Sequence, residues 1–367
     1  VKEAGVRPEA AAGVASELVV ELVRTPSVSG EEVQVAELLE GWARSRGIEV
    51  SRDDAAVRMS VAGHRSGRTL LLASHLDTVP PGEGWTVDPF AGVVSDGRLV
   101  GRGAVDAKAS VAAMAAALVR LAAEGGVEAG RLELLATYGE ETRGTTMPEA
   151  LWRLGEFPDA AIVGEPTGLA PAVAQRGQLL LRLTWQGEQM HAGWASERPE
   201  PPRNAILAAA ADLRRLAELP FDRVHPRLGR IAVTPTMLQA GVARNVTPPR
   251  CELVLDVRST PEYDHAELVR TIAGIVEASV EVLSDRLVPA ETPLDSALLP
   301  LIRTLRPDAE SFGSPTCSDW VWLRSTDAVK LGPGNSRLSH TANEWIDLTE
   351  VEEAASFYAA VARGYLR

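Results

Sequence analysis

Thiols are scarce in this chain. Cys251 and Cys317 are its two cysteines, far apart and in no CxxC or Cys/His zinc spacing. That leaves no disulfide scaffold and suits a reducing compartment. Basic residues are also outnumbered: 37 Lys and Arg face 50 Asp and Glu, for a formal net charge of −13. No cationic surplus exists to neutralise the phosphates of a nucleic acid. Lysine itself occurs at Lys2, Lys108 and Lys330 alone. Long hydrophobic runs are missing as well. The Ala-rich stretch that opens at Val111 is too short to span a bilayer. Val1 to Ala15 has no apolar core flanked by basic residues, so it does not read as a signal peptide. The expectation is a cytoplasmic chain without membrane or nucleic-acid partners. What is present is ordinary for a globular protein, 367 residues with 45% hydrophobic and 24% charged, long enough for two domains.

Apolar residues recur at helical spacing from Pro8 to Val23, and a second helix opens near Ser29 or Gly30 with Glu31 and Glu32 at its positive end. Ile48–Val50, Val57–Val61 and Leu70–Ala73 read as strands. A Pro-, Gly- and Asp-rich loop fills Val79 to Asp96, and loops this long in compact domains tend to be functional. The segment Arg98–Val100 enters Gly101-Arg102-Gly103-Ala104-Val105-Asp106 and then a helix from about Ala107 to Ala123. Leu132–Thr137 and Ala160–Val163 are further buried strands. After about Ala170 the pattern changes to alternation, at Leu179–Trp185, Arg230–Leu238, Cys251–Arg258 and Val280–Leu283, with helices at Asn204–Leu219 and Asp264–Glu277. This is the signature of a small α+β unit. Buried patterns return from about Pro293 and close with a helix from Leu348 to Leu366. The architecture implied is a catalytic α/β domain, residues 1–170 and 288–367, interrupted by an inserted lid at 171–287.

The chemistry gathers at strand ends. His75 and Asp77 follow the apolar run Thr69–Ala73, where open α/β sheets place their ligands. Two apart on an extended segment, they point the same way, so Asp77 can orient a metal-binding His75. Alone, HxD is a weak pattern, better read as a surface His beside a turn Asp. Asp106 follows a glycine pair that lets the backbone bend, and it could equally be a helix N-cap. The third glycine of a dinucleotide fingerprint is absent. Glu140-Glu141 follows another buried strand. Neighbouring side chains diverge, so one carboxylate can ligate while the other stays free to carry a proton. Glu165 stands in Gly-Glu-Pro-Thr, and His340 in a Gly/Pro-rich loop. Imidazoles and carboxylates at successive strand ends, without thiols, point to a hard-to-borderline divalent metal centre and a two-metal hydrolase.

These residues lie in motifs that resemble the di-zinc aminoacylase and acetylornithine deacetylase family, which includes succinyl-diaminopimelate desuccinylase and carboxypeptidase G-like enzymes. The resemblance runs from about Val23 to Tyr365. It rests on SHLDTVP at Ser74–Pro80, GRGAVDAKAS at Gly101–Ser110, GEE at Gly139–Glu141 and GEPT at Gly164–Thr167. HAG at His191–Gly193, NAI at Asn204–Ile206 and LGPGNSRLSHTANE at Leu331–Glu344 extend it. The resemblance implies a zinc-exopeptidase-like catalytic domain with a ferredoxin-like lid and dimerisation insert. It implies two divalent metals, zinc first and cobalt as the alternative. His75, Asp106 and Glu165 would hold one, and Asp106, Glu141 and His340 the other, with Asp106 as the bridge. Asp77 would orient His75, and Glu140 would move the proton. His191 would stabilise the oxyanion from the partner subunit of a homodimer. Asn245, Arg258 and Thr316 would meet the substrate, with a strand-end salt bridge as an equally natural use of Arg258. Two departures stand out: Ala109 where many members have Gly, and a long Pro- and Glu-containing loop from Trp194 to Arg203.

The activity implied is removal of an N-acyl group from an amino acid, with N-acetyl-L-ornithine first. Alternatives are release of lysine or ornithine from an amino-group carrier protein, desuccinylation of succinyl-diaminopimelate, and a metal-binding relative without catalysis. Retention of Glu140 and of all five ligand positions speaks against the last.

Overall fold

The computed structural model describes residues 13–367 except Arg143, Thr145 and Ser196. The helical spacing read from Pro8 therefore begins outside the described residues, and the first helix observed is Val14–Arg24. Contacts divide the chain into two compact units. One comprises residues up to Val173 together with Glu291–Phe312 and Ser318–Arg367; the other comprises Ala174–Ala290 and Gly313–Cys317. The short segment Gly313–Cys317, which carries Thr316, thus groups with the insert although the sequence places it in the returning half of the other unit.

The first unit is built on a mixed sheet. The sequence suggests two strands at Val57–Val61 and Leu70–Ala73, and the structure joins them in one long element, Ala56–His75. This element wraps the strand Val127–Thr137. Its first part pairs in falling register, from Val57 with Ala136 to Ala62 with Arg131. Its last part pairs in rising register, from Thr69 with Arg131 to His75 with Thr137. The wrap needs close backbone approach. A Cβ on Gly63 would stand 2.7 Å from the Ala129 carbonyl carbon, and one on Gly130 would meet the Arg68 oxygen at 1.9 Å. Ala160–Val163 pairs in parallel with Leu70–Ala73, and Asp327–Lys330 pairs in parallel with Ala160–Val163. Leu70–Ala73 and Ala160–Val163 are buried on both faces, which is why they read as unbroken apolar runs. Their shared register aligns the carboxyl ends of four strands, those ending at His75, Thr137, Val163 and Lys330. The helix Lys108–Ala123 is buried almost all round and packs against Val14–Arg24 and Leu348–Tyr365.

The second unit carries a four-stranded antiparallel sheet. Its order is Ser279–Leu287, Gly177–Gln186, Arg250–Ser259, Ala232–Ala240. Leu179, Leu181, Leu183 and Trp185 face a core shared with Leu253, Leu255, Leu268 and Ile272, while the residues between them are more exposed. Asn204 and Asp264 cap the helices Ala205–Leu216 and His265–Ile275 with their side chains. The edge strand Ala232–Ala240 is exposed along nearly its whole length. Among the described residues no helix is long and apolar enough to cross a membrane.

His265 gives this unit an acid response. It is buried, with the Ser259 hydroxyl 2.8 Å from Nε2 and the Asp285 carbonyl oxygen 2.9 Å from Nδ1, a pairing that suits the neutral ring. Burial lowers its pKa, against the smaller opposing pull of the Asp285 carbonyl and of nearby carboxylates. The folded state therefore takes up the proton less readily than the unfolded chain. The stability it contributes is full above the unfolded value of about 6.5 and falls as pH drops through that value toward the lower folded one. Between about pH 7.5 and 5.5, the urea midpoint of the wild type should fall more steeply than that of His265→Gln. Equal slopes would remove His265 from the acid response.

Candidate metal centre

Five chain segments deliver side chains to the neighbourhood of the aligned strand ends. His75 is the last residue of its strand and is buried. Asp106 precedes the helix Lys108–Ala123, whose N-cap position is Ala107, so Asp106 is not the cap. Glu140 and Glu141 follow Thr137, Glu165 follows Val163, and His340 stands in the loop after Lys330 with a left-handed backbone, φ 64°. That conformation is uncommon for a side chain with a Cβ and is held here by the surrounding loop.

Asp106 is at the centre. His75 Nε2 lies 3.3 Å from its Oδ1 and His340 Nε2 lies 3.4 Å from its Oδ2. Glu165 approaches His75 Nε2 at 3.8 Å, and Glu141 approaches His340 Nε2 at 2.9 Å. Ligand atoms of His75, Asp106 and Glu141 fall within 4.8 Å of one another. Each carboxylate oxygen of Asp106 thus faces a different imidazole, the disposition a bridging carboxylate requires.

The charges explain what such a cluster can hold. Burial would raise Asp106, but hydrogen bonds from His340 and His75 keep it well below the usual carboxylate range. Burial would likewise lower His75, and Asp106 and Asp77 instead push it well above 6.5. His340 rises to about 10 through its bonds to Asp106 and Glu141. Burial, with Asp106 next, raises Glu165 to about 7. Glu140 is also raised well above the usual range, by burial first and then by Glu165, Asp319 and Glu141, against the pull of His75. His75, His340, Glu165 and Glu140 hold their protons more tightly because several carboxylates converge on one partly buried site. Divalent cations discharge that crowding and release the protons. The donor set, two imidazole nitrogens and three carboxylates, fits borderline to hard divalent ions.

Asp77 has a wider task than its spacing suggests. It approaches His75 Nδ1 with its carbonyl oxygen at 2.9 Å and its Oδ1 at 3.5 Å. The same carboxylate accepts the backbone N–H of Glu140 at 3.0 Å, that of Glu141 at 3.1 Å and the Ser29 hydroxyl at 2.7 Å. One buried carboxylate therefore sets both a histidine and the paired-glutamate turn. Glu32 braces the same turn, accepting from Gly30 and Gly139. Sequence reading missed Ser29 and Glu32 as members of this neighbourhood and offered Asp319 only as a polar loop group for a substrate side chain; the SVSG turn before the second helix is the only local hint for the first two. Asp319, buried and hydrogen-bonded to Thr137, is pushed up to about 6, chiefly by burial. Lys108 is buried with Nζ donating to the Leu22 and Thr25 carbonyls, and burial lowers it to about 7.

A model of peptidase family M20/M25/M40 matches residues 71–364. The chain belongs to that family. It is 30% identical over 388 residues to a succinyl-diaminopimelate desuccinylase of Parvibaculum lavamentivorans, covering 95% of each chain. Its fold resembles that of aminopeptidase PepT from Bacillus cereus, with TM-score 0.80 and 21% identity over 99% of this chain and 100% of that one. A dinuclear metal-binding peptidase of the M20 family from Bacillus subtilis superposes with TM-score 0.72 and 16% identity, over 98% and 99% of the two chains. This M20 chain is accordingly a metal-binding hydrolase of amide bonds.

The remaining sequence-derived residues belong to the second unit of the M20 chain. His191 is exposed and bridges to Val246, and the N–H of Ala192 donates to the carbonyl of Asn245 at 2.8 Å, so those two segments are neighbours. Arg258 places its fork on Asp256, with Nε 2.8 Å from Oδ1 and Nη2 3.1 Å from Oδ2. This is the strand-end ion pair that its position allows, and a substrate carboxylate would have to compete with Asp256. Thr316 is exposed, its hydroxyl 3.0 Å from that of Ser314.

Proposed function

We propose that this chain is a two-metal amidohydrolase that releases a free amino acid from its N-acyl derivative. The observation that carries the reading is the convergence of His75, Glu141, Glu165 and His340 around the Asp106 carboxylate, with Glu140 half-buried in the adjoining turn. In this reading His75, Asp106 and Glu165 hold one cation and Asp106, Glu141 and His340 the other, zinc in the first instance. When bound, the metals supply Lewis acidity toward the acyl carbonyl and toward water. Glu140 takes the proton of the attacking water and hands it to the amine as the C–N bond breaks. Asp77 keeps His75 and the Glu140-Glu141 turn in place. His191 as oxyanion donor, and Asn245, Arg258 and Thr316 as substrate contacts, rest on the motif match, as does a homodimer through the insert.

The motif match puts N-acetyl-L-ornithine first. The Parvibaculum relative supports a second reading, an N-succinyl diamino acid. The deciding experiment is release of free amine from N-acetyl-L-ornithine, N-succinyl-L-ornithine, N-acetyl-L-citrulline and N-succinyl-diaminopimelate, with and without a chelator. Chelator-sensitive turnover restored by zinc or cobalt is expected, fastest on the ornithine derivative. A clear preference for the diaminopimelate derivative establishes the second reading. Absence of release from every member by metal-loaded protein would sink both.

A further inference from the structure

Glu344 stands four residues after His340 and is completely buried. Its carboxylate is saturated by the loop that carries Asp106. Oε1 accepts the backbone N–H of Val105 at 2.7 Å and of Asp106 at 3.0 Å. Oε2 accepts the N–H of Gly103 at 3.2 Å and pairs with the buried Arg102 guanidinium. Its main-chain oxygen accepts the N–H of Gly101 at 2.9 Å. One residue thus gathers donors from Gly101, Arg102, Gly103, Val105 and Asp106, more than 230 positions earlier in the chain.

The brace extends outward. Arg102 also donates to the Pro81 carbonyl at 3.2 Å and lies 5.3 Å from the Trp85 ring centre. Next to Glu344, Asn343 accepts both the N–H and the hydroxyl of Thr86 at 2.9 Å. The loop around Trp85, the loop of Asp106 and the loop of His340 are therefore tied through one buried ion pair and its neighbour. A buried carboxylate is costly unless its oxygens are satisfied, and the Glu344 partners described all come from the Asp106 loop.

We infer that Glu344 is a second positioning residue of the centre beside Asp77, holding the Asp106 carboxylate in register with His340 so that one carboxylate can serve both imidazole-bearing sites. The inference rests on the two-metal reading above. It goes beyond the ligand set, because Glu344 touches no ligand atom and acts through the backbone of Asp106. Outer groups of this kind set ligand orientation, and their loss costs roughly 10–100-fold in metal affinity.

The test uses full-length protein stripped with a chelator and reloaded with cobalt(II), followed by calorimetry and by visible absorption. Wild type should bind two cations. Glu344→Gln keeps the shape but replaces one accepting oxygen with a donor. It should bind one of the two roughly 10–100-fold more weakly and show an altered cobalt spectrum. Glu344→Asp keeps the charge opposite Arg102 and so guards against simple unfolding, while drawing the carboxylate back by one methylene. It should show the same weakening, with kcat lowered far more than KM. Two cations bound at wild-type affinity with a wild-type spectrum in a folded Glu344→Asp would overturn the inference. Fewer than two cations on the wild type would overturn the two-metal reading and this inference with it.

Discussion

Glu140→Gln is expected to lower kcat roughly 10²–10⁴-fold while leaving both cations bound. The substitution is nearly isosteric and removes only the capacity to accept and return a proton. Glu140 is raised by burial and by neighbouring carboxylates, against the pull of His75, so its hold on a proton answers to the charges gathered beside it. Its backbone N–H is anchored on Asp77, so the turn should keep its shape and Glu141 its place near His340. Metal content and kcat measured on the same preparation decide the matter. Wild-type turnover would remove Glu140 from the mechanism, and loss of a cation would show that it is a ligand instead.

Asp106→Ala should be more severe. Both oxygens of this carboxylate face imidazoles, Oδ1 toward His75 and Oδ2 toward His340, so its removal strikes both halves of the proposed centre. We expect loss of at least one bound cation and a fall in kcat/KM on the order of a thousandfold or more, since metal assistance contributes several kcal/mol to such barriers. Elemental analysis after gel filtration reads the first effect and the amine-release assay the second. A variant with its full complement of metal and more than about a tenth of wild-type activity would break the bridging assignment, a loss smaller than any scale predicts. The secondary effect is on the histidines: without Asp106 each loses a main support of its raised pKa, and NMR titration should find both lowered.

The sequence by itself determined where the buried strands end and which polar residues stand there. Apolar runs such as Leu70–Ala73 and Ala160–Val163 are legible because strands buried on both faces admit nothing polar, and the first polar residues after them mark strand ends. Alternation in Leu179–Trp185 is legible for the complementary reason, since one face of that strand is more exposed. The motif match picked out His75, the paired glutamates and Glu165 after those runs, and Asp106 and His340 in loops. Tertiary structure alone decided the partners. Nothing local tells that Ala56–His75 wraps Val127–Thr137 in two registers, or that Gly313–Cys317 packs with the insert. Nothing local tells that Asp77 anchors the Glu140-Glu141 turn, that Arg258 forks onto Asp256, or that Glu344 closes over the Asp106 loop. Periodicity records whether a side chain is buried, which follows from its own polarity and that of its neighbours. Which distant donor satisfies a buried carboxylate depends on how the strands are ordered and the loops close, and that is settled only when the whole chain has packed.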